Sequence, residues 1–439
     1  MSLLIVLLGI VCLVVLISYF KLNTFLAFIV VSIGIGLGVG MPILDISAAL
    51  QKGIGSTLGF LVIILGCGAM LGKLVADSGA AQRISDSLIA FFPNKYIQWA
   101  VVLTGFLVGI PMFYSVGFVI LVPLVFTIGA ATRLPLLYIG LPMLTALSVT
   151  HGYLPPHPAP TALVGQFGAD LGKTLLYGFI VAIPAIILGG PVFATTLKKY
   201  NPKPLPEFMN PKILTDKEMP GLGISIMTAL LPVLLLGSSA IGKLFVESTS
   251  GIYPLLEFLG DPVIAMILSI LVAIFTLGTW QGKSMTEVGK SFEGAIKGIA
   301  MILLIIAGAG ALKAILVESE VSAYIGEMLA GMDVSPLILA WGISAVIRVC
   351  VGSATVAGLT SAGIVAPLIP LTGADPNLMV LATGAGSLMF SHVNDSGFWM
   401  FKEFFNMSVA DTLKTWSVME TIVSIVGLIG VLLLSIVIS

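Results

Sequence analysis

Apolar runs of similar length recur from one end of this sequence to the other. They cover residues 2 to 20, 24 to 39, 56 to 72, 174 to 197, 222 to 242, 262 to 279, 299 to 317 and 417 to 438. Each run is close to the roughly 20 apolar residues that a helix needs to cross the hydrocarbon core of a bilayer. We therefore predict an all-α, polytopic membrane protein whose chain crosses the lipid bilayer many times.

Charged residues are too scarce for a soluble protein of this length. They make up only 9% of the 439 residues, whereas soluble domains carry roughly 25%, so a water-facing surface could not be covered. The formal net charge is −1, which gives no basis for nucleic-acid binding. The three cysteines form no CxxC pair, and neither a metal site nor a cofactor is expected.

An internal repeat divides the chain into two halves. Gly40 and Asp45 recur, at the same separation, as Gly282 and Glu287. Further pairs follow in the same order and at nearly the same offset: Gly53 and Gly294, Lys73 and Lys313, Trp99 and Trp341, Pro123 and Pro367, His151 and His392. We predict a first repeat over 1 to 200 and a second over 222 to 439, joined by a polar, proline-rich linker over 201 to 221.

Each half is expected to contain about five spanning helices and one re-entrant hairpin. The hairpins are predicted over 98 to 133 and 338 to 371, where the apolar arms are too short for two full crossings and a turn. Irregular backbone at membrane depth is tolerated only where protein buries it or where it borders a cavity. Because five crossings is an odd number, the second repeat is predicted to be inverted relative to the first.

Basic residues are distributed unequally between the two sides that this topology defines. The side that holds the linker receives Lys21, Lys73, Arg83, Lys95, Arg133, Lys198, Lys199, Lys203, Lys212, Lys217, Lys283, Lys290, Lys297, Lys402 and Lys414. The other side receives Lys52, Lys173, Lys243 and Lys313. Cytoplasmic loops of membrane proteins carry the excess of Lys and Arg. We therefore expect a cytoplasmic linker, termini that face outward, and a location in a bacterial inner membrane.

Two stretches that cannot continue a helix hold all three histidines of the chain. Residues 151 to 158 contain three prolines within four positions, and residues 391 to 397 include Asp395. Ionisable groups at membrane depth usually mark the path of an ion or a substrate. Broken helices that meet near the midplane are typical of transporters built from inverted repeats. The structural alternative is that His151 and His392 only cap the broken helix ends.

The side chains at the breaks and hairpin tips suit an anion that carries several hydroxyl groups. Half-helix N-termini favour anions, and protein hydroxyls can both donate and accept hydrogen bonds. Arg348 either holds a carboxylate of the ligand or pairs with a helix end or an acidic neighbour. The residues predicted to bind substrate are Tyr114, Ser115, Thr150, His151, His157, Ser353, Thr355, Ser391, His392, Asn394 and Ser396.

The chain resembles the gluconate permease family along its whole length. The resemblance is carried by residues 68 to 73 (GAMLGK), 111 to 118 (PMFYSVGF), 148 to 158 (SVTHGYLPPHP), 352 to 357 (GSATVA) and 391 to 399 (SHVNDSGFW). It implies a secondary transporter for gluconate or a related aldonate or uronate, with a proton as the coupling ion. It also implies a homodimer in which a hairpin-bearing domain moves against a static scaffold, an elevator-type movement.

One position departs from the family pattern. Many relatives carry Glu in the first hairpin where this chain has Ser115. Candidates for the proton-binding group within the membrane are then Asp395, His392 and His151. We predict that Asp395 couples transport to the proton, with His392 as its neighbour.

Other functions remain open on the sequence alone. A symporter for another organic anion or for a hydroxyl-bearing amino acid is the main alternative. A passive channel or an intramembrane hydrolase fits less well, because neither explains a duplicated and inverted arrangement of hairpins. No residue pattern places a histidine beside a glycine-flanked nucleophile, so an enzyme is not expected.

Overall fold

The structure, a computed structural model, describes residues 2–200, 202–203, 214–247, 249–319 and 334–438, which form helices and no β-strand. The helices of the first half are α1 Ser2–Ser18, α2 Thr24–Gly38, α3 Ile43–Asp77, α4 Ala80–Phe91, α5 Ile97–Gly109, α6 Tyr114–Thr132, α7 Leu136–Tyr153, α8 Pro158–Phe167 and α9 Leu171–Ile187. Helix α9 continues through a π-helical turn, Leu188–Val192. Most of the predicted linker, 201 and 204 to 213, lies outside the described residues.

The second half also combines long helices with short, interrupted ones. Its helices are α10 Leu222–Phe245, α11 Tyr253–Leu259, α12 Pro262–Ala273, α13 Met285–Glu318, α14 Pro336–Val351, α15 Ala354–Val365, α16 Leu368–Thr372, α17 Pro376–Gly386, α18 Ser396–Phe404, α19 Val409–Thr412 and α20 Val418–Ile438. A π-helical turn, Leu413–Ser417, joins α19 to α20.

Several helices have the length and composition of membrane spans. Among the described residues these are Leu171–Leu197, Leu222–Lys243, Pro262–Gln281, Met285–Glu318 and Val409–Ile438, and the bent helix α3 is a sixth if its two parts form one span. Shorter apolar helices, among them α2, α5, α14 and α15, accompany them. On α1, the side chains of Leu4, Leu7 and Leu8 are more than half exposed. This apolar surface is suited to contact with lipid. The protein is therefore a multi-pass membrane protein, and the number of crossings in each half stays a prediction.

The two longest helices begin in the same way. Gly40 and Gly282 precede α3 and α13 with φ of +85° and +80°, a left-handed conformation that glycine adopts without steric cost. Ser284 and Glu287 then form a capping box at the start of α13, which satisfies backbone N–H groups that have no partner inside the helix. A glycine turn therefore precedes each of these two long helices. Helix α13 packs against α2 and α3.

A second group of helices encloses the broken segments. Helix α7 packs against α5 and α9, α17 packs against α14, and α20 packs against α9 and α17. The interruptions fall at residues 154 to 157, between α7 and α8, and at 387 to 395, between α17 and α18. Two further turns separate α5 from α6 and α14 from α15. These four irregular segments bring side chains from distant parts of the sequence to one place.

Candidate functional site

A cavity of about 280 Å³ lies where these interrupted helices meet. Its walls come from the start of α6, the end of α7, the turn between α14 and α15, the start of α18, and α20. Ile302 and Ile305 of α13 close one side with apolar surface. Seven of the residues predicted from the sequence line it: Tyr114, Ser115, His151, Ser353, Thr355, Asp395 and Ser396.

A buried ion pair occupies one wall. Nη2 of Arg348 lies 2.5 Å from Oδ2 of Asp395. The side chains are only 3% and 13% exposed, so the two charges are held away from bulk water. Ser391 also donates to Oδ2 of Asp395, and the backbone N–H of Gly397 donates to Oδ1 at 3.0 Å. Asp395 therefore accepts three hydrogen bonds and caps α18 at the same time.

Several buried polar atoms of the lining residues have no hydrogen-bond partner. They are the hydroxyl of Tyr114, Nδ1 of His151, Nε and Nη1 of Arg348, and Oε2 of Glu420. A buried polar atom without a partner typically costs about 1–3 kcal/mol, so a cluster of them in one cavity indicates groups kept for a ligand. The cluster offers a guanidinium group, a phenol, an imidazole and a carboxyl oxygen within one small volume.

Three helix N-termini border the same cavity. Helices α6, α15 and α18 begin directly after Phe113, Ser353 and Asp395, and these three residues line the cavity. The first N–H groups of a helix lack intrahelical partners and carry partial positive charge. At α15, the hydroxyl of Ser353 accepts one of them, from Val356 at 3.4 Å. Asp395 accepts one at α18, whereas α6 begins without a side-chain cap, so its N-terminus favours an anion in the cavity.

The cavity also contains residues that were absent from the predicted set. Glu420 of α20 is 2% exposed, and its Oε1 accepts a hydrogen bond from Ser148 at 2.7 Å. The indole of Trp416 lines the cavity and donates to Ser391 at 2.8 Å. A usable signal existed, because Glu420 is the one charged residue of α20, and intramembrane acids usually have a functional role.

Five residues predicted to bind substrate lie outside the cavity lining. Thr150 is fully buried and donates to the carbonyl of Leu147 at 2.8 Å. Ser391 is also buried and reaches the site only through Asp395 and Trp416. The other three are His157, His392 and Asn394.

The side chains of these three residues form hydrogen bonds with backbone carbonyls at the ends of α5 and α14. Nε2 of His157 lies 2.6 Å from the carbonyl oxygen of Gly109, the last residue of α5. Nε2 of His392 lies 2.9 Å from that of Val349, and Asn394 donates to the same oxygen at 2.8 Å. The final carbonyls of a helix have no intrahelical partner. These residues therefore hold the first helix break against the end of α5 and the second against the end of α14.

The sequence matches one protein family over nearly its full length. The model of the GntP family permeases matches residues 1–437. This chain belongs to the GntP permease family. The resemblance found in the sequence is thereby confirmed, and the protein is a permease, not an enzyme.

Characterised relatives of this GntP family permease cover it almost completely. It is 52% identical to a high-affinity gluconate transporter of Escherichia coli over 100% of both chains. It is 49% identical to the Gnt-II system L-idonate transporter of the same organism over 98% of both chains. Identity to a gluconate permease of Bacillus subtilis is 46%, again over 100% of both chains.

More distant solved structures share the fold of this permease. The YdaH transporter of Alcanivorax borkumensis superposes with a TM-score of 0.65 at 16% identity, covering 93% of this chain and 96% of that one. MtrF of Neisseria gonorrhoeae gives 0.67 at 17% identity, covering 93% of each chain. At such low identity the likeness concerns the fold alone.

Within the part of the chain that the structure describes, no cluster of three His, Cys, Asp or Glu residues could hold a metal ion.

Proposed function

We propose that this permease imports gluconate or a related sugar-acid anion together with a proton. The observation that carries the proposal is the lining of the cavity, in which Arg348 and Tyr114 keep polar atoms unpartnered beside three helix N-termini. A sugar acid has one carboxylate and several hydroxyl groups, which match this combination of groups. The names of the relatives, gluconate and L-idonate transporters, support the same substrate class.

The carboxylate of the substrate is proposed to bind at Arg348. Its Nε and Nη1 have no hydrogen-bond partner, while Nη2 is held by Asp395. A guanidinium group offers donors in a planar fork that suits a carboxylate. The hydroxyl groups of the substrate would then lie toward Tyr114, His151 and Ser115. Sites that bind a hydroxyl group discriminate strongly against ligands that lack it, because the protein groups are then left unpaired.

Coupling to a proton, an elevator-type movement and a homodimer are parts of the proposal. Support for the inverted repeat comes from matched elements, since α5 and α6 correspond to α14 and α15, and α7 and α8 correspond to α17 and α18. In the proposed arrangement these eight helices and α20 hold the cavity and move against α2, α3, α12 and α13. The proton-coupling roles of Asp395 and His392 stay predictions. Asp395 faces the cavity, and His392 is bound to the end of α14.

Orientation in the membrane is testable by chemical labelling. With the three native cysteines replaced by alanine, we expect a cysteine at Lys217 to react with a membrane-impermeant maleimide only from the cytoplasmic side. A cysteine at Ser2 should react only from outside, because the excess of basic residues lies on the linker side. Intact and lysed cells supply the matched control for each position. Labelling of the Lys217→Cys variant in intact cells would show that the orientation is the opposite of the one proposed.

Ligand binding tests the substrate class directly. For purified permease in lipid nanodiscs, we expect D-gluconate and L-idonate to quench the fluorescence of Trp416, which lines the cavity. A Trp416→Phe variant separates that signal from the other tryptophans. Glucose lacks the carboxylate and hexanoate lacks the hydroxyl groups. Each unpaired buried group costs about 1–3 kcal/mol, so both should bind roughly 5- to 150-fold more weakly or worse.

The same panel contains the outcome that would contradict the proposal. L-serine and L-threonine represent the hydroxyl-bearing amino acids that were the main alternative. If either binds more tightly than every sugar acid tested, the sugar-acid assignment is wrong. Equal binding of glucose and gluconate would show that Arg348 and the helix N-termini do not recognise a carboxylate.

A further inference from the structure

We infer that Glu420 is the group that carries the coupling proton, and that Asp395 stays ionised as the partner of Arg348. The inference rests on the proposed proton symport and adds the residue that performs it. It differs from the expectation drawn from the sequence, which assigned the proton to Asp395 and His392.

Glu420 is a buried acid without a cation partner among the described residues. Its side chain lies on α20 and lines the substrate cavity, and the residue is 2% exposed. One carboxyl oxygen accepts from Ser148 at 2.7 Å, and the other has no hydrogen-bond partner. Burying a charge without an ion pair is costly, so such a group tends to be neutral. A protonated carboxyl group can donate through the oxygen that is unpartnered here.

Asp395 has the opposite surroundings. It accepts from the guanidinium of Arg348, from the hydroxyl of Ser391 and from the N–H of Gly397. Each of these donors favours the ionised carboxylate, and the third is a helix N-cap interaction. Protonating Asp395 would also leave Arg348 without its ion-pair partner, and breaking a buried pair in this way is strongly destabilising.

His392 is separated from the cavity. Its ring nitrogen Nε2 binds the carbonyl of Val349 at 2.9 Å, and the residue does not line the cavity. It therefore has no direct contact with a substrate or with Glu420. These placements leave Glu420 as the acid that can change its charge beside the substrate without breaking an ion pair.

The charges around Glu420 show how a proton and an anion would be coupled. Arg348 and Asp395 face it across the cavity and cancel each other, and the other titratable groups nearby are His151, Tyr114 and Tyr153. The phenol of Tyr153 is engaged with the carbonyl of Val423 at 2.5 Å. Ionised Glu420 would therefore give the cavity a net negative charge and repel the carboxylate of the substrate. Protonated Glu420 removes that repulsion, so proton and anion bind together and leave together.

Transport by reconstituted protein tests the inference. Glu420→Gln keeps an amide oxygen that can accept from Ser148 and mimics the protonated acid. In proteoliposomes, we expect it to lose uphill accumulation of gluconate driven by a pH gradient while counterflow exchange persists. Exchange needs no net movement of protons. Glu293→Gln is the matched control, because Glu293 is 64% exposed in a surface pair with Lys297, and it should accumulate gluconate as the wild type does.

The pH dependence of binding supplies a second measurement that does not require transport. If one proton binds with each anion, linkage makes the affinity of the wild type fall by about tenfold per pH unit above the titration range. We expect this dependence to be absent in Glu420→Gln. Asp395→Asn should change the affinity by the same factor at every pH and keep the slope, because the proton site is intact.

The outcomes separate this inference from the proposed function. A wild type that neither binds nor exchanges sugar acids would overturn the proposed function, and the inference with it. A wild type that accumulates gluconate, beside a Glu420→Gln variant that does so equally well, would overturn the inference alone. If the affinity for gluconate became independent of pH in Asp395→Asn but kept its normal slope in Glu420→Gln, Asp395 would be the proton-binding residue. If only a sodium gradient drove accumulation, Glu420 would not carry a coupling proton, and the inference would be wrong.

Discussion

Gluconate binding by an Arg348→Ala variant should be at least about 30-fold weaker than that of the wild type. Arg348 is 3% exposed and, among the described residues, is the one Arg or Lys that lines the cavity. Truncating one partner of a buried charge pair costs about 2–5 kcal/mol, which is roughly 30- to 4,000-fold in affinity at about 1.4 kcal/mol per factor of ten. Calorimetry on the purified variant measures this loss, and uptake in cells should fall with it.

Loss of the ion pair also threatens folding, so a second variant is needed. Arg348→Ala leaves Asp395 buried without its cation, whereas the double variant Arg348→Gln/Asp395→Asn removes both charges together. We expect the double variant to recover thermal stability but not gluconate binding. Arg133→Gln, an exposed arginine at the end of α6, serves as the control. Normal gluconate binding by the double variant would show that Arg348 only balances Asp395.

A methyl group at Gly352 should disable the transporter. Gly352 ends α14 with φ of +82°, where a residue with a Cβ is disfavoured by about 1–2 kcal/mol. The added Cβ would lie 2.6 Å from the carbonyl carbon of Asn394 and 2.7 Å from its Cγ. The backbone at the second helix break would have to move, and it carries Asp395. We expect Gly352→Ala to reduce gluconate uptake by more than about tenfold, which corresponds to about 1.4 kcal/mol.

Gly342→Ala is the matched control for that variant. Gly342 lies on the same helix, and a Cβ added there meets nothing within 4 Å. Alanine is favoured over glycine inside a helix by about 1 kcal/mol, so this variant should keep or raise the thermal unfolding midpoint. If Gly352→Ala matched it in uptake and in unfolding temperature, the close approach of the two segments would not be needed for function.

The sequence was most informative where local chemistry decides the outcome. The three prolines near residue 156 stop α7 at Tyr153, because proline lacks the N–H that a continuing helix needs. The glycines at 40 and 282, which the sequence paired as repeat positions, both adopt a left-handed backbone conformation. These features depend on the covalent structure of a few neighbouring residues, so they can be recognised without knowing the rest of the fold.

Residue type alone did not identify which polar side chains face the cavity. Ser115 and Thr150 are both hydroxyl residues of the first half, yet only Ser115 lines the cavity. Thr150 returns its hydroxyl to the helix, where it binds the carbonyl of Leu147. A threonine inside a helix commonly bonds a carbonyl of the preceding turn. Its residue type therefore did not predict a ligand contact.

The composition, the apolar runs and the prolines by themselves determined that this chain is a polytopic membrane protein with interrupted helices, and its motifs determined the family. Only the tertiary structure decided which polar groups share one cavity. Glu420, Arg348 and Ser148 are far apart in sequence and come together through the packing of α20, α14 and α7. The direction in which a helical side chain points depends on the rotation of its helix against its neighbours. That rotation is set by contacts between distant segments, and no local pattern contains it.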